Sequence, residues 1–211
     1  MKILTLTVGP VRTNCYIAFD ETTHEGFLVD PGDDAEDILA AVRANSLIIT
    51  HILLTHGHFD HILALSEVKK ATGAKIGIHT LDAFNLQSIT GCLYARFCGS
   101  GGFIPMTADL LLEEGTRIDA ASVTLTVLHT PGHTPGSSCF DTGSVLFTGD
   151  TLFAESCGRV DLGCGDGDAM HASLARLSAL PGDRACYPGH GRAFTLCDAR
   201  AVNPVLRSLR R

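Results

Sequence analysis

The sequence predicts an α+β chain built as two packed β-sheets with helices on the outside. Short strand-like segments fall into two groups, residues 2–30 and 110–149, and each group gives way to helical periodicity. Twenty-two glycines and eight prolines break the chain into many turns. No linker or repeat divides the 211 residues, so one domain spanning 1–211 is expected. Strands, helices, strands, helices is the order that suits a sandwich with helical outer layers.

Residues 2–8, 14–20 and 25–30 read as three antiparallel strands, and Asp30-Pro31-Gly32-Asp33 ends the third. A helix follows from about Asp34 to Ala44, with Ile38, Leu39 and Val42 on one face. Residues 47–55 return as a buried strand. Asp60 or a neighbour is then expected to cap a helix with Ile62, Leu63, Leu65 and Val68 as its apolar positions and Lys69 and Lys70 near its end.

Another strand is expected at 74–79, then a poorly patterned stretch, Thr80 to Met106, with a short helix near Leu81–Leu86 and the glycine-rich Cys98–Gly102. Strands resume at 110–113, 116–118, 122–129, 137–141 and 144–149. Asp166–Ala179 is amphipathic through Met170, Leu174, Leu177 and Leu180. A last strand at 184–187 and a C-terminal helix complete the pattern.

A formal charge of −7 argues against nucleic acid as the main partner. The alternating N-terminus does not read as a signal peptide, and no apolar run approaches the ~20 residues a membrane helix needs. Eight cysteines include no Cys-x-x-Cys pair, which fits the reducing cytoplasm. Cys15, Cys139 and Cys186 lie in strand-like segments and are expected in the core. Cys92, Cys98, Cys157 and Cys164 lie among glycines and are expected to be more exposed.

The chemistry concentrates at Thr55-His56-Gly57-His58-Phe59-Asp60-His61, three imidazoles and a carboxylate at the end of a buried strand. Neutral imidazole is the commonest protein metal ligand, and unpaired polar groups there would otherwise carry an uncompensated desolvation cost. Three more strand ends carry glycine beside a ligand type. They are Pro131-Gly132-His133, Gly149-Asp150-Thr151 and Pro188-Gly189-His190-Gly191. Five histidines and two aspartates exceed the four ligands of a closed structural zinc site and suit two ions sharing a carboxylate. His129 reads as a strand-end or outer residue, His51 as core or edge, and His24, His79 and His171 as turn, strand-end and helix-surface residues.

These motifs resemble the metallo-β-lactamase fold, a four-layer αββα sandwich, and within it the glyoxalase II-like (hydroxyacylglutathione hydrolase-like) branch. Thr13-Asn14-Cys15-Tyr16, Val29-Asp30-Pro31-Gly32, His129–Ser137, Gly149–Phe153, Gly158-Arg159-x-Asp161 and Tyr187–Gly191 carry the resemblance, which runs from Met1 to about Leu206. It implies that His56, His58 and His133 hold one ion, that Asp60, His61 and His190 hold a second, and that Asp150 bridges them. Zinc is the leading expectation for the two divalent ions, and iron or manganese suits the same donors. Glyoxalase II adds a C-terminal helical domain that binds glutathione. The 211 residues leave no room for one, so S-acyl thiols in general are the expected substrates.

The implied activity is thioester hydrolysis through a metal-bridging hydroxide, with Asp60 as the catalytic residue that holds the second ion and orients the nucleophile. Arg159 is a candidate to meet an anionic substrate, with a salt bridge to Asp161 as its competing role. Asp30 is a candidate to orient a ligand histidine through its second nitrogen. The expected partner is a small-molecule thioester, with neither nucleic acid nor membrane; oligomeric state is not legible. The alternative is a persulfide dioxygenase-like oxidoreductase of the same fold with one iron, against which the intact Pro-Gly-His-Gly at 188–191 counts. Lactam hydrolysis is not expected, because lactamases of this fold carry cysteine where Asp150 stands. The RNA-processing nucleases of the fold have basic surfaces that an acidic chain lacks.

Overall fold

In a computed structural model that describes residues 1–209, two six-stranded sheets pack face to face. Arg210 and Arg211, the end of the expected 1–211 domain, lie outside the described residues. The first sheet runs in the order β1 (Lys2–Val8), β2 (Thr13–Phe19), β3 (Glu25–Val29), β4 (Ile48–Leu53), β5 (Lys75–His79) and β6 (Leu110–Leu112). Its first three strands are antiparallel and β3 to β6 are parallel. Helix α1 (Ala35–Ala44) and helix α2 (Leu65–Thr72) are the crossovers that parallel pairing requires. Helix α3 (Tyr94–Phe97) interrupts the long connection from β5 to β6.

The second sheet holds β7 (Arg117–Ala120), β8 (Val123–His129), β9 (Ser138–Asp141), β10 (Val145–Gly149), β11 (Ala185–Pro188) and β12 (Phe194–Thr195), paired in that order. It is antiparallel except for β10 and β11, which are parallel and joined through α4 (Gly167–Ser178). Helices α5 (Leu196–Val202) and α6 (Pro204–Ser208) follow.

Strand periodicity explains the layering. On β2, Cys15, Ile17 and Phe19 face the cluster under α1 and α2, while Tyr16 and Ala18 face the second sheet. Phe27, Val29, Leu53, Leu125, Val127, Phe140 and Phe147 complete the inter-sheet core. Leu146, Cys139 and Cys186 point the other way, under Met170, Leu174 and Leu177 of α4 and Leu196 and Leu206 of the C-terminal helices. Three apolar interfaces therefore separate four layers, αββα, as expected. No helix among the described residues is long and apolar enough to cross a membrane.

Several local expectations change. Asp60 does not cap a helix. Residues Phe59–His61 form one 3-10 turn and α2 starts only at Leu65, without a side-chain cap. The Asp60 carboxylate instead accepts a hydrogen bond from Thr13 Oγ1 at 2.9 Å, and the carbonyls of Pro31 and Gly32 take the N–H groups of Ala64 and Leu63. Cys92 is fully buried, because its carbonyl accepts from Phe59 N–H and its side chain packs with Leu86 and Tyr94. Cys98 and Cys164 are exposed and Cys157 is half-buried, while Cys15, Cys139 and Cys186 lie in the core. The stretch expected as a short helix near Leu81–Leu86 is a longer 3-10 segment, Thr80–Gln87. The two-residue β12 is too short to leave a periodic signature.

Phe147 sits at the centre of the inter-sheet core, fully buried, with the rings of Tyr16, Tyr187 and Phe27 at 5.5, 5.6 and 5.9 Å between centroids. Phe147→Ala is expected to cost about 3–5 kcal/mol in a urea unfolding titration. A loss below ~1 kcal/mol would mean that this contact does not hold the sheets together.

Candidate metal centre

Parallel strands present their carboxyl ends on one edge, which is where ligand sites form in such sheets. Asp30 follows β3, His56 to His61 follow β4, Asp150 follows β10 and His190 follows β11. His133 arrives from the loop between the antiparallel strands β8 and β9. All seven expected ligands meet at this edge: His56/His58/His133 and Asp60/His61/His190 form two triads, and Asp150 groups with His56 and His61, each group with ligand atoms within 4.8 Å of one another.

In the first triad His58 Nδ1 stands 3.1 Å from His56 Nε2 and 2.9 Å from His133 Nε2. Two nitrogens tetrahedrally bound to one ion at ~2.0–2.1 Å lie ~3.3 Å apart, so the rings already stand near coordination spacing. In the second, Asp60 Oδ2 is 3.3 Å from His190 Nε2 and 3.6 Å from His61 Nε2. Asp150 reaches both triads, with Oδ2 3.5 Å from His133 and from His190 and Oδ1 3.6 Å from His61.

Outer contacts fix which nitrogen of each ring faces inward. The Thr55 hydroxyl donates to Asp30 Oδ2 at 2.6 Å, so at 3.1 Å it can only accept from His56 Nδ1–H. His61 Nδ1–H donates to Asp30 Oδ2 at 2.9 Å, and His133 Nδ1–H donates to the Arg159 carbonyl at 2.7 Å. In each case the inward Nε2 is left with its lone pair for an ion. His61 Nε2 and Asp150 Oδ1 are buried without a hydrogen-bond partner. Such orphans are costly unless a cation completes them, and this donor set fits divalent ions.

The electrostatics agree. Burial, helped by neighbouring histidines, pushes His56 well below the ordinary imidazole range and His58 down to about 3, so both stay neutral as ligands require. Burial opposes the charged form of His61 too, yet Asp60, Asp30 and Asp150 together raise it to about 10. Burial would raise Asp60, but His61 and His190 hold it far below the carboxylate range. His190 is raised against burial by its hydrogen bond to Asp60 and the charge of Asp150. Three carboxylates thus demand positive charge at one spot, which a dication supplies better than a proton.

Glycine makes the approach possible. A Cβ on Gly189 would lie 2.2 Å from Asp150 Oδ1, so no other residue fits before His190. Strand β2 braces the same loop. Asn14 donates to the carbonyls of Pro188 and Gly191 at 3.0 and 2.8 Å, and Tyr16 donates to Pro188 at 2.5 Å.

Asp30 and Arg159 stand where the sequence reading put them, with qualified roles. Asp30 contacts His61 and also takes the Thr55 N–H at 2.8 Å. Arg159 lines the cavity over the centre, but its guanidinium is held bidentately by Asp161 at 2.6 and 2.7 Å. His129 and His79 stack on each other at 4.0 Å outside both triads, and His51 is half-buried within β4. His24 lies in a turn region and His171 on the exposed face of α4.

Asp82 is the residue that sequence reasoning missed. Fully buried, it accepts from Gly57 N–H at 2.9 Å, Thr134 Oγ1 at 2.8 Å and Gly136 N–H at 2.7 Å, and so ties the His56–His58 loop to the His133 loop. Only its position in the unpatterned 80–106 stretch kept it hidden.

The pattern of the Metallo-beta-lactamase superfamily matches residues 8–190, and the chain belongs to that superfamily, a family of metal-dependent hydrolases. Among individual proteins it is 35% identical to an uncharacterized protein of Mycobacterium leprae, covering 99% of this chain and 100% of that one. It is 31% identical to the hydroxyacylglutathione hydrolase GloC of Haemophilus influenzae over 99% of each. Among solved structures it is similar to the BLEG-1 B3 metallo-beta-lactamase, with TM-score 0.92, 33% identity and 97% and 99% coverage. TTHA1623 in a di-iron-bound form gives 0.83, 38% identity and 95% and 98% coverage. ETHE1 from Myxococcus xanthus gives 0.81, 28% identity and 98% and 85% coverage.

Asp82→Ala is expected to lower metal affinity roughly 10–100-fold, read by competition with a chelator, because it releases two ligand loops from one clamp. Unchanged affinity would show that Asp82 does not position the first triad.

Proposed function

We propose that this chain is a binuclear metal-dependent hydrolase of thioesters, with His56, His58 and His133 on one ion, Asp60, His61 and His190 on the other, and Asp150 between them. The observation that carries the reading is the reach of Asp150 to both triads, at 3.5 Å from His133 and His190 and 3.6 Å from His61. The similarity to GloC over its whole length supports the substrate class, since an S-acyl glutathione is a thioester.

Two bound ions supply the chemistry of a water acidified toward pH 7 and of a polarised carbonyl. The protein positions them. Asp60, fixed by a hydrogen bond from Thr13, would hold the second ion and orient the nucleophile. Hydrolysis forms a C–O bond from water to the carbonyl carbon and breaks the C–S bond. The products are a carboxylic acid, which ionises, and a thiol that takes the other water proton. A thiolate leaves readily, so no acid beyond the site's own water is required.

A second reading is a persulfide dioxygenase-like oxidoreductase with one iron; the similarity to a di-iron-bound structure supports iron as the metal, though not a single ion. Lactams, set aside on the identity of residue 150, return as test substrates because a B3 metallo-beta-lactamase is 33% identical over 97% of this chain.

Metal analysis is expected to find two ions per chain, zinc first and iron or manganese as alternatives, alongside hydrolysis of thioesters that chelation abolishes and added metal restores. Asp60→Ala and His58→Ala should each remove turnover; near-wild-type activity in either sinks the mechanism. One iron with oxygen uptake on a persulfide establishes the second reading. Asp30→Asn should weaken metal retention, and unchanged metal content in that variant removes its orienting role.

A further inference from the structure

The cavity over the metal centre has two unlike sides. Its floor is the ligand set, and its walls are Val11, Phe59, Leu93, Phe97, Phe153 and Leu162, around a volume of about 430 Å³. Phe97 ends the four-residue α3 and lies stacked on Phe59, at 5.5 Å between centroids and 23° between planes. It stays 54% exposed, and Val11 across the mouth is 47% exposed. Exposed aromatic and aliphatic side chains gathered at the mouth of a catalytic cavity mark a surface that a ligand covers.

The one cation lining the cavity is paired with a carboxylate, and another close by lies over an aromatic wall. Arg159 is the one lysine or arginine among the cavity's lining residues, and Asp161 takes both arms of its guanidinium. Arg96, next in sequence to Phe97, holds its guanidinium 5.5 Å from the centre of that ring. To be held by these cations, a glutathione carboxylate would have to break the Arg159–Asp161 pair or draw Arg96 off the Phe97 ring, whereas an alkyl or aryl group needs only the walls already present.

We propose that the substrate carries an uncharged apolar group, packed against Phe97, Val11, Leu93 and Phe153, and that this contact, not a glutathione moiety, selects it. The inference rests on the hydrolase reading for the position of the scissile carbonyl, which sits at the floor while the apolar group extends up the wall. Two sources fit the chemistry, the acyl chain and the thiol substituent, and the test separates them.

N-acetylcysteamine thioesters with acyl chains from acetyl to octanoyl vary the acyl side. Acetyl thioesters of alkanethiols vary the other. On one of the two series kcat/KM is expected to rise roughly two- to fourfold per methylene until the cavity is filled. Ketone analogues with CH2 in place of sulfur should show the same length dependence in their dissociation constants, with no turnover involved. Phe97→Ser and Val11→Ser, both at exposed positions that tolerate a polar residue, should flatten the dependence in turnover and in binding.

Length-dependent ketone binding without hydrolysis of any thioester supports the apolar wall and removes the thioesterase reading. Hydrolysis with no length dependence in either series removes the wall and leaves that reading standing. Preference for S-acyl glutathiones over N-acetylcysteamine thioesters at every chain length, unchanged in Phe97→Ser, also overturns the proposal.

Discussion

One buried carboxylate organises both halves of the metal centre. Asp30, 1% exposed, accepts from the Thr55 backbone and hydroxyl and from His61 Nδ1. Through His61 it reaches the second triad, and through the Thr55 hydroxyl it sets the tautomer of His56 in the first. It also sits at the end of β3 with φ 52, a left-handed conformation that a short polar side chain tolerates best. A buried network of this kind is stiff because each lost bond leaves a partner exposed to the full desolvation penalty. The spacing of the candidate ligands is therefore inherited from strand geometry.

The same logic explains why the ligands come from both sheets. The first sheet supplies His56, His58, Asp60 and His61, while the second supplies His133, Asp150 and His190. Tyr16 and Phe147 lie in the packed core between the sheets, so the separation of the two ligand groups is set by close-packed aromatic rings. Strand β2 then crosses from one group to the other, with Thr13 on Asp60 and Asn14 on the His190 loop. Packing inside the sandwich and charge at its edge are one mechanical system.

What the sequence made legible follows from local signals. Alternation along β2, β3 and β8 and the four- and three-residue spacing of Met170, Leu174 and Leu177 located the layers. His-x-His-x-Asp-His after an apolar run, with glycine before each remote ligand, located the centre. Long-range partners left no such trace. Asp82 clamps Gly57 to Gly136 across 25 and 54 residues of separation, and nothing within its own segment distinguishes it from a surface aspartate. The start of α2 is hidden in the sequence for a related reason: Asp60 reads as a cap because its tertiary partners, Thr13 and His190, are far away in sequence. Cys92 reads as a loop residue because of its glycine neighbour, whereas tertiary packing buries it.

The range of relatives sharpens what each part of the molecule can decide. Proteins described as a hydroxyacylglutathione hydrolase and as a B3 metallo-beta-lactamase are both about one-third identical to this chain over nearly all of its length. A scaffold shared that closely cannot by itself choose between a thioester and a lactam. Choice must then lie where side chains differ without disturbing the network, and the ligand triads, Asp30 and Asp82 are too constrained to vary. The stretch around Leu93 and Phe97, later in the same β5 to β6 connection as Asp82, makes no such contact with the ligands. It carries Leu93 at φ 65 and Phe97 on a single helical turn, and it reaches the cavity without contributing a metal ligand. Sequence patterning is weak there because core residues such as Leu86, Cys92 and Tyr94 are spaced irregularly among residues that line the cavity, and the proposed contact with Leu93 and Phe97 would place selectivity in this segment.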